Sequence, residues 1–242
     1  MSPSLEICVD TLAGLTTALA AGVDRVELCS ALDLGGLSPG LGLLRAAAAA
    51  DRGRRALHVM IRPRAGGFVW SPAELALICD EIAGIRALGL EGVVIGAATP
   101  DGALDEPALA QMMRAAQGLS VTLHRVVDLL PDPVTAVAVA ARLGIARILT
   151  SGGAVRAAEG AATLARMVAA AGGRVEIMAG SGLTAALIPD LARQTGVRAF
   201  HASCSREGPA DPTLMRMGFA AREGRETDPA LVQAMLAVVR GL

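Results

Sequence analysis

The sequence predicts an α/β protein that consists of a single (β/α)8 barrel of the TIM type with a polar lumen. Eight strand-like runs start near residues 5, 25, 56, 92, 120, 147, 174 and 199, and most of them precede a helical stretch rich in alanine and leucine. Eight such units in 242 residues fit the size of this barrel. In six of the runs only alternate residues are apolar, whereas strands covered by helices on both sides are apolar on both faces.

The alternating pattern assigns a face to six strands in chain order. These runs span residues 5–10, 25–30, 56–63, 120–128, 174–180 and 199–204. The runs at 92–96 and 147–151 are too uniformly apolar to be assigned a face. Between the strands, glycines at 22, 89 and 196 stand where helices should end, Asp132-Pro133 opens a helix that ends near Gly144, and Thr184 caps another. We expect one domain, with a core over about 5–205 and a C-terminal helical extension over 206–242.

The polar face of these strands carries most of the chain's reactive groups, including all three histidines. Its members are Glu6, Cys8, Asp10, Glu27, Cys29, His58, Met60, Arg62, Thr122, His124, Glu176, Met178, His201 and Ser203. Because side chains alternate across a strand, this set should point into the lumen. A buried charge is costly unless it is paired, so we expect Glu6, Glu27 and Glu176 to pair with the histidines and Arg62. A purely structural network among these groups is the alternative to a functional site.

Composition and charge exclude several classes of function. The net charge is −1 and the 22 basic residues are scattered, so we expect neither nucleic acid nor a membrane as a partner. No apolar stretch is long enough to cross a bilayer and no signal-like segment is found, which predicts a cytoplasmic protein. The absence of lysine excludes Schiff-base chemistry and a Walker-type phosphate loop. The four cysteines have no CxxC spacing, so we expect free thiols.

Residues late in the strands should face the C-terminal end of the barrel, where active sites of this fold lie. The candidates for proton transfer are Asp10, Glu27, His124 and His201, since imidazoles among carboxylates can titrate near neutral pH. The candidates for anion binding are arginines and glycine-rich turns, which donate paired or backbone hydrogen bonds. They are Arg62, Arg64, Arg125, Ser151, Gly152, Gly153, Gly180, Ser181 and Gly182. Solvated loop arginines and ordinary short connections are the alternative interpretation.

Cys8 and Cys29 lie on the same face of adjacent predicted strands, as do two methionines. Thiolate and thioether sulfurs suit Cu(I), so this pair is a candidate metal site. The alternative is that both cysteines are small buried hydrophobic residues, since two thiols on separate strands are a weak metal signature. The loop at 66–70, which holds two of the four aromatic residues, is interpreted as a lid or a subunit contact, and we expect a homo-oligomer.

Several short motifs in order give the chain a resemblance to a known family. They are EICVD at 6–10, DRVELCS at 24–30, VMIRPR at 59–64, HR at 124–125, LTSGG at 149–153 and FH at 200–201. With these motifs the chain resembles the CutC family, named for a proposed role in copper homeostasis. The resemblance implies a (β/α)8-type barrel, and it matches Cys8 and Cys29 to the two cysteines suggested as copper ligands in that family. Gly67, Leu123 and Ser181 depart from the family pattern, which usually has Asp, an aromatic residue and Gly there.

Two functional hypotheses follow. In the first, the protein is a Cu(I)-binding barrel with Cys8 and Cys29 as ligands and Met60 or a histidine nearby. In the second, it is an enzyme that acts on a small phosphorylated or carboxylated metabolite at the C-terminal barrel mouth. A scaffold for subunit interactions is a third alternative, which leaves the polar lumen unexplained.

Overall fold

The structure, a computed structural model, describes residues 2–51, 57–208, 211–219 and 225–242. Eight parallel strands close into a barrel, each paired with the next in chain order and the eighth paired with the first. The strands are β1 (Ser4–Val9), β2 (Arg25–Leu28), β3 (Leu57–Met60), β4 (Gly92–Ile95), β5 (Ser120–Leu123), β6 (Arg147–Thr150), β7 (Glu176–Gly180) and β8 (Ala199–Ala202). The predicted (β/α)8 fold is therefore confirmed. The predicted start of the third strand at Ala56 lies outside the described residues.

Helices alternate with the strands and surround them. They are α1 (Leu12–Ala21), α2 (Leu41–Asp51), α3 (Pro72–Ala87), α4 (Glu106–Ala115), α5 (Thr135–Leu143), α6 (Ala161–Ala171), α7 (Ile188–Thr195), α8 (Pro212–Arg216) and α9 (Pro229–Arg240), with short 3-10 helices at Leu32–Leu34 and Arg125–Leu129. After β8 the chain forms β9 (Ser205–Glu207), α8 and β10 (Arg225–Thr227), and β10 pairs with β9 in antiparallel orientation. Helix α9 then packs against α1, α7 and β1. None of the described helices combines the length and hydrophobicity of a membrane span.

Local sequence signals explain most helix ends. Gly22, Gly144 and Gly196 end α1, α5 and α7 in the left-handed conformation that glycine adopts without strain. Thr184 was expected to begin a helix, and this expectation is wrong. Its carbonyl instead accepts a hydrogen bond from Leu187 in a turn, and α7 begins at Ile188, where a proline in its first turn favours helix initiation.

The two faces of the strands pack as the alternation predicted. The apolar set, such as Leu5, Ile7 and Val26, is fully buried in the main core between strands and helices. Two small apolar clusters lie inside the lumen, one around Met60 and the other around Met178. The structure also resolves the two ambiguous runs, since Val93, Ile95 and Ile148 belong to the main core while Val94 and Leu149 belong to the lumen clusters. β4 is thus apolar on both faces, whereas the lumen face of β6 carries Arg147 as well as Leu149.

An ion-pair network fills the lumen near the end at which the strands start. Arg25 Nε lies 3.0 Å from Glu6 Oε2, and Arg147 Nε lies 2.5 Å from Glu176 Oε2. Arg25 also approaches Glu176 at 3.7 Å, which joins the two pairs. Of the expected partners, His201 lies 3.7 Å from Glu6 and 2.8 Å from Glu27. The nearest partners of Glu6 and Glu176 are instead arginines that the sequence did not predict. Register is the reason, because β1 pairs Glu6 directly with Arg25 and β6 pairs Arg147 directly with Glu176.

His58 lies above this network and is fully buried. Neither of its ring nitrogens has a hydrogen-bond partner within the described part of the chain. Burial is the main cause that lowers the pKa of His58 to about 4, so the ring is neutral at pH 7. Gly92 on the neighbouring strand leaves room for it, since a Cβ there would lie 2.8 Å from the imidazole.

Candidate functional site

A cavity of about 700 Å³ opens at the C-terminal end of the barrel. Nine of the predicted site residues line it: Cys8, Glu27, Cys29, Arg62, His124, Arg125, Ser181, Gly182 and His201. The other predicted residues do not line it: Asp10, Arg64, Ser151, Gly152, Gly153 and Gly180. Asp10 instead accepts a hydrogen bond of 3.3 Å from the backbone N–H of Leu32. The lumen is therefore open at the mouth and carries part of the predicted set.

Three reactive side chains meet at the lumen side of the cavity. Cys8, Glu27 and His201 each offer one possible ligand atom, and these three atoms lie within 4.8 Å of one another. Closure of the barrel creates this group, because β1 lies between β2 and β8 and pairs Cys8 with Glu27 in register. His201 Nε2 lies 2.8 Å from Glu27 Oε2. Burial acts to lower the pKa of His201, but the Cys8 sulfur and the Glu27 carboxylate outweigh it and raise this pKa well above its usual value.

The other lumen thiol has a different environment. Cys29 is fully buried and clusters with Met60 and Val94. Burial and the nearby Glu27 raise the pKa of Cys29 well above its usual value, so the thiol stays protonated. Cys29 also lies outside the group of ligand atoms within 4.8 Å of one another. All four cysteines are free, as expected from their spacing.

His124 is buried with a defined tautomer. Its Nδ1 accepts a hydrogen bond of 3.1 Å from the N–H of Val126, so the neutral ring carries its proton on Nε2. That Nε2 is buried and has no partner among the residues that the structure describes. Burial and then the charge of Arg62 lower the pKa of His124 to about 3. The ring packs on Phe68 at 4.7 Å and occupies the space in which a Cβ at position 96, a glycine, would stand.

Arg62 connects two loops at the cavity wall. Its guanidinium donates to the carbonyls of Leu34 at 2.8 Å, Gly36 at 3.1 Å and Gly66 at 2.9 Å. It also lies 5.0 Å from the centre of the Phe68 ring. The two terminal nitrogens of this predicted anion ligand are thus engaged with backbone carbonyls. Arg62 consequently fastens the loop after β2 to the loop after β3.

Arg64 is also bound within the protein. Its side chain hydrogen-bonds Glu74 and donates to the carbonyls of Gly67 at 3.0 Å and Val69 at 2.9 Å. The guanidinium lies 4.6 Å from the centre of the Trp70 ring. The hydrogen bond from Arg64 is the main cause that lowers the pKa of Glu74 to about 2. Arg64 therefore organises the loop at 66–70 from outside the cavity.

The predicted anion-binding turn after β6 binds a carboxylate of the chain itself. Asp128 Oδ1 accepts hydrogen bonds from the Thr150 hydroxyl at 2.6 Å and the Gly153 N–H at 2.9 Å. Asp128 Oδ2 accepts from the Ser151 N–H at 3.0 Å and the Ser151 hydroxyl at 2.9 Å. Arg125 Nε donates to the same Oδ2 at 2.7 Å. The turn has the geometry for an anion, and Asp128 supplies it.

The turn after β7 has free donors. Ser181 and Gly182 have φ angles of 82° and 68°, and the backbone N–H groups at 182–184 donate to none of the residues described. The Arg156 side chain packs against Gly182 and makes no hydrogen bond or ion pair within the described ranges. Arg225 also lines the cavity, where it donates to the Ser205 hydroxyl at 2.9 Å. Neither arginine was predicted, although Arg156 could have been, since it follows a strand end at the mouth.

The charges that line the cavity are unequal. Among the residues that the structure describes, four arginines line it, namely Arg62, Arg125, Arg156 and Arg225, against one carboxylate, Glu27. Asp128 offsets part of the charge of Arg125 from behind. The described lining is therefore electropositive, which favours the approach of an anion.

Comparisons with known proteins agree with the motifs in the sequence. The model of the CutC family matches residues 3–206. A family protein CutC from Sinorhizobium medicae is 47% identical over 239 residues, which cover 98% of this chain and 96% of that protein. A family protein CutC from Caulobacter vibrioides is 45% identical over 241 residues, which cover 98% and 97%.

Solved structures give the same result. A CutC protein from Streptococcus agalactiae, to which a copper homeostasis role is assigned provisionally, is similar with a TM-score of 0.78 and 31% identity, over 83% of this chain and 98% of that chain. Phosphoribosyl anthranilate isomerase from Thermotoga maritima has a TM-score of 0.62 at 11% identity over the full length of both chains, which shows a shared fold alone. The family model covers most of the chain and its relatives approach half identity, so the resemblance in the motifs is confirmed: the chain belongs to the CutC family.

Proposed function

We propose that the protein is an enzyme that acts on a small phosphorylated or carboxylated metabolite at the barrel mouth. The observation that carries this proposal is the cavity of about 700 Å³, with four arginines and one carboxylate in its lining and a histidine–carboxylate pair at its lumen side. Its volume suits a small-molecule ligand. Its charge favours an anion over a neutral or cationic one.

The residues divide into two roles in this proposal. Arg156, Arg225 and the N–H groups at 182–184 hold the anionic group of the substrate. Arg156 and these N–H groups have no internal acceptor among the described residues, and Arg225 is held only by uncharged acceptors of Ser205, over which an anion is favoured. Glu27 and His201 transfer a proton, since the pair shares one across 2.8 Å. His124 lines the cavity as a neutral ring, as its low pKa requires, and takes no part in the proton transfer.

An anion titration with a charge-matched control tests this proposal. Isothermal titration calorimetry with phosphate, short phosphate esters and short carboxylates should detect binding to the natural chain. We expect Arg156→Gln to weaken binding at least tenfold, because Arg156 is exposed at the cavity and has no internal partner to release. Arg166→Gln removes the same charge from an exposed ion pair outside the cavity and should leave binding unchanged. Absence of binding by every anion tested would contradict the proposal.

Binding of Cu(I) is the second candidate function, and one observation favours it. The ligand atoms of Cys8, Glu27 and His201 come within 4.8 Å of one another, which is close enough to share an ion. A thiolate and an imidazole suit Cu(I), whereas a carboxylate prefers harder ions. The set therefore fits Cu(I) in part, with Cys8 and His201 as ligands and Glu27 orienting the imidazole.

A copper titration distinguishes which thiols take part. Anaerobic competition with a Cu(I) chelator should give stoichiometric binding that Cys8→Ser abolishes. Cys29→Ser should weaken the binding as well if the pair from the family motif acts together. Cys79→Ser is the control, since this thiol is half-buried on α3 and lies outside the cavity lining. Equal affinity in all three variants would exclude a copper site in the lumen.

A further inference from the structure

One side of the mouth cavity is apolar and continues away from the lumen. Beyond the end of β8, the lining passes to Leu231, Ala234 and Met235 of α9. These positions are three and four residues apart, so they form one face of the helix. Leu183 and Ala185, in the loop after β7, line the same cavity. These five apolar residues, from the loop after β7 and from α9, are called the apolar branch of the cavity.

The apolar branch adjoins the free anion donors. Leu183 follows Gly182 directly, and Arg156 packs on Gly182. Arg225 lies on β10, immediately before α9 in the chain, and lines the same cavity. At Gly182 and Leu183, charged donors and apolar surface are therefore adjacent in the lining. A ligand held there by its anionic group would have apolar surface within reach on one side and the Glu27–His201 pair on the other.

Size and exposure indicate that the apolar branch is for a ligand. An inorganic anion or a two-carbon acid would leave most of a 700 Å³ cavity to water. Leu231 is 45% exposed, although a leucine beside a charged cavity gains nothing from contact with water. Covering this leucine with a hydrocarbon group would remove apolar surface from water.

We infer that the ligand of this cavity is an amphipathic anion, with a phosphate or carboxylate at Arg156 and Arg225 and an aliphatic or other apolar arm along the branch. This inference rests on the proposed function and specifies its substrate class. The branch then selects among anions by the length of the apolar arm, while the arginines bind the charged group that all of them share.

A homologous series of ligands tests the inference. Calorimetry compares inorganic phosphate with methyl, butyl and hexyl phosphate, and in parallel acetate with hexanoate. Affinity should rise along each series, by up to about fourfold for each methylene that becomes buried. Leu231→Gln should remove most of this increase, so that the affinities for methyl and hexyl phosphate become similar in this variant.

The control uses the same substitution at a matched site. Leu77 on α3 is 47% exposed and lies outside the cavity lining, so Leu77→Gln should keep the dependence on chain length. Equal affinity of the natural chain for methyl and hexyl phosphate would overturn the inference and leave the proposed anion site intact. A dependence on chain length that survives Leu231→Gln would also overturn it. Failure of every phosphate and carboxylate to bind would overturn the proposed function and this inference with it.

Discussion

Removal of the Asp128 carboxylate should destabilise the protein more than any surface ion pair does. This carboxylate accepts hydrogen bonds from Thr150, from Ser151 and from Gly153, and it also pairs with Arg125. It therefore organises the turn after β6 and one wall of the mouth. We expect Asp128→Ala to loosen both.

The magnitude follows from the burial of the donors. Thr150 and Ser151 are fully buried. The Thr150 hydroxyl and the Ser151 N–H therefore cannot form hydrogen bonds with water when the carboxylate is removed. Each buried donor left without its acceptor costs about 1–3 kcal/mol, which gives about 4 kcal/mol for the two. The bonds from Gly153 and Arg125 lie closer to solvent and add little. Asp128→Asn keeps one carbonyl oxygen for these donors and should cost about half as much.

Urea unfolding followed by circular dichroism measures both variants. Asp190→Ala is the control, because its ion pair with Arg193 is 67% and 73% exposed and should contribute less than about 1 kcal/mol. Acetate in the buffer should stabilise Asp128→Ala selectively, since the empty turn would accept another carboxylate. A loss for Asp128→Ala as small as that for Asp190→Ala would refute this account of the turn.

Three further results are expected. Gly96→Ala should force the His124 ring aside and cost about 1–3 kcal/mol in urea unfolding, whereas Gly42→Ala on α2, with open space around it, should be neutral or stabilising. Because the pKa of His58 is lowered to about 4 in the fold, the free energy of unfolding should be highest above pH 6.5 and should fall by about 3 kcal/mol as the pH falls from 6.5 to 4. His58→Leu should remove this dependence of the free energy of unfolding on pH. The pKa of His201 is instead raised, so the stability that its protonated ring adds to the fold is fully present below pH 6.5 and is lost as the pH rises through the folded pKa. In thermal unfolding, His201→Gln should not show this loss of stability at alkaline pH.

The alternation of side chains was sufficient to predict the barrel and the lumen set. It works because a strand in a barrel has helices on one side only, so each face meets a different environment. Closure of the barrel then brings β8 beside β1, which unites Cys8, Glu27 and His201 from distant parts of the sequence. These three residues were all named from the sequence, as a metal or catalytic candidate in each case.

Hydrogen-bond partners could not be predicted in the same way. That Glu6 lies nearer to Arg25, at 3.0 Å, than to His201, at 3.7 Å, depends on strand register, which the alternation pattern does not specify. From the sequence alone, the N–H groups of a glycine-rich turn are expected to be free. In the fold, Asp128 accepts hydrogen bonds from the turn after β6, although it lies 23 residues before Ser151 in the chain. Arg62 was expected to bind an external anion because the sequence does not show which backbone carbonyls of the loops will accept its hydrogen bonds in the fold.

Protons separate the two candidate functions. Because the pKa of His201 is raised well above its usual value, a rise in pH does not add positive charge to the mouth, so the binding of a carboxylate that is fully ionised at pH 6 and pH 8 should not strengthen as the pH rises. Cu(I) binding by Cys8 and His201 must release their protons, so its affinity should strengthen as the pH rises over the same range. The four arginines of the cavity also favour an anion over Cu(I), because their positive charge repels another cation near the lumen. Calorimetry with hexanoate and the chelator competition with Cu(I), each at pH 6 and pH 8, should therefore show that the copper affinity rises with pH while the anion affinity does not, and a copper affinity that falls with rising pH would exclude the Cys8–His201 pair as its ligands.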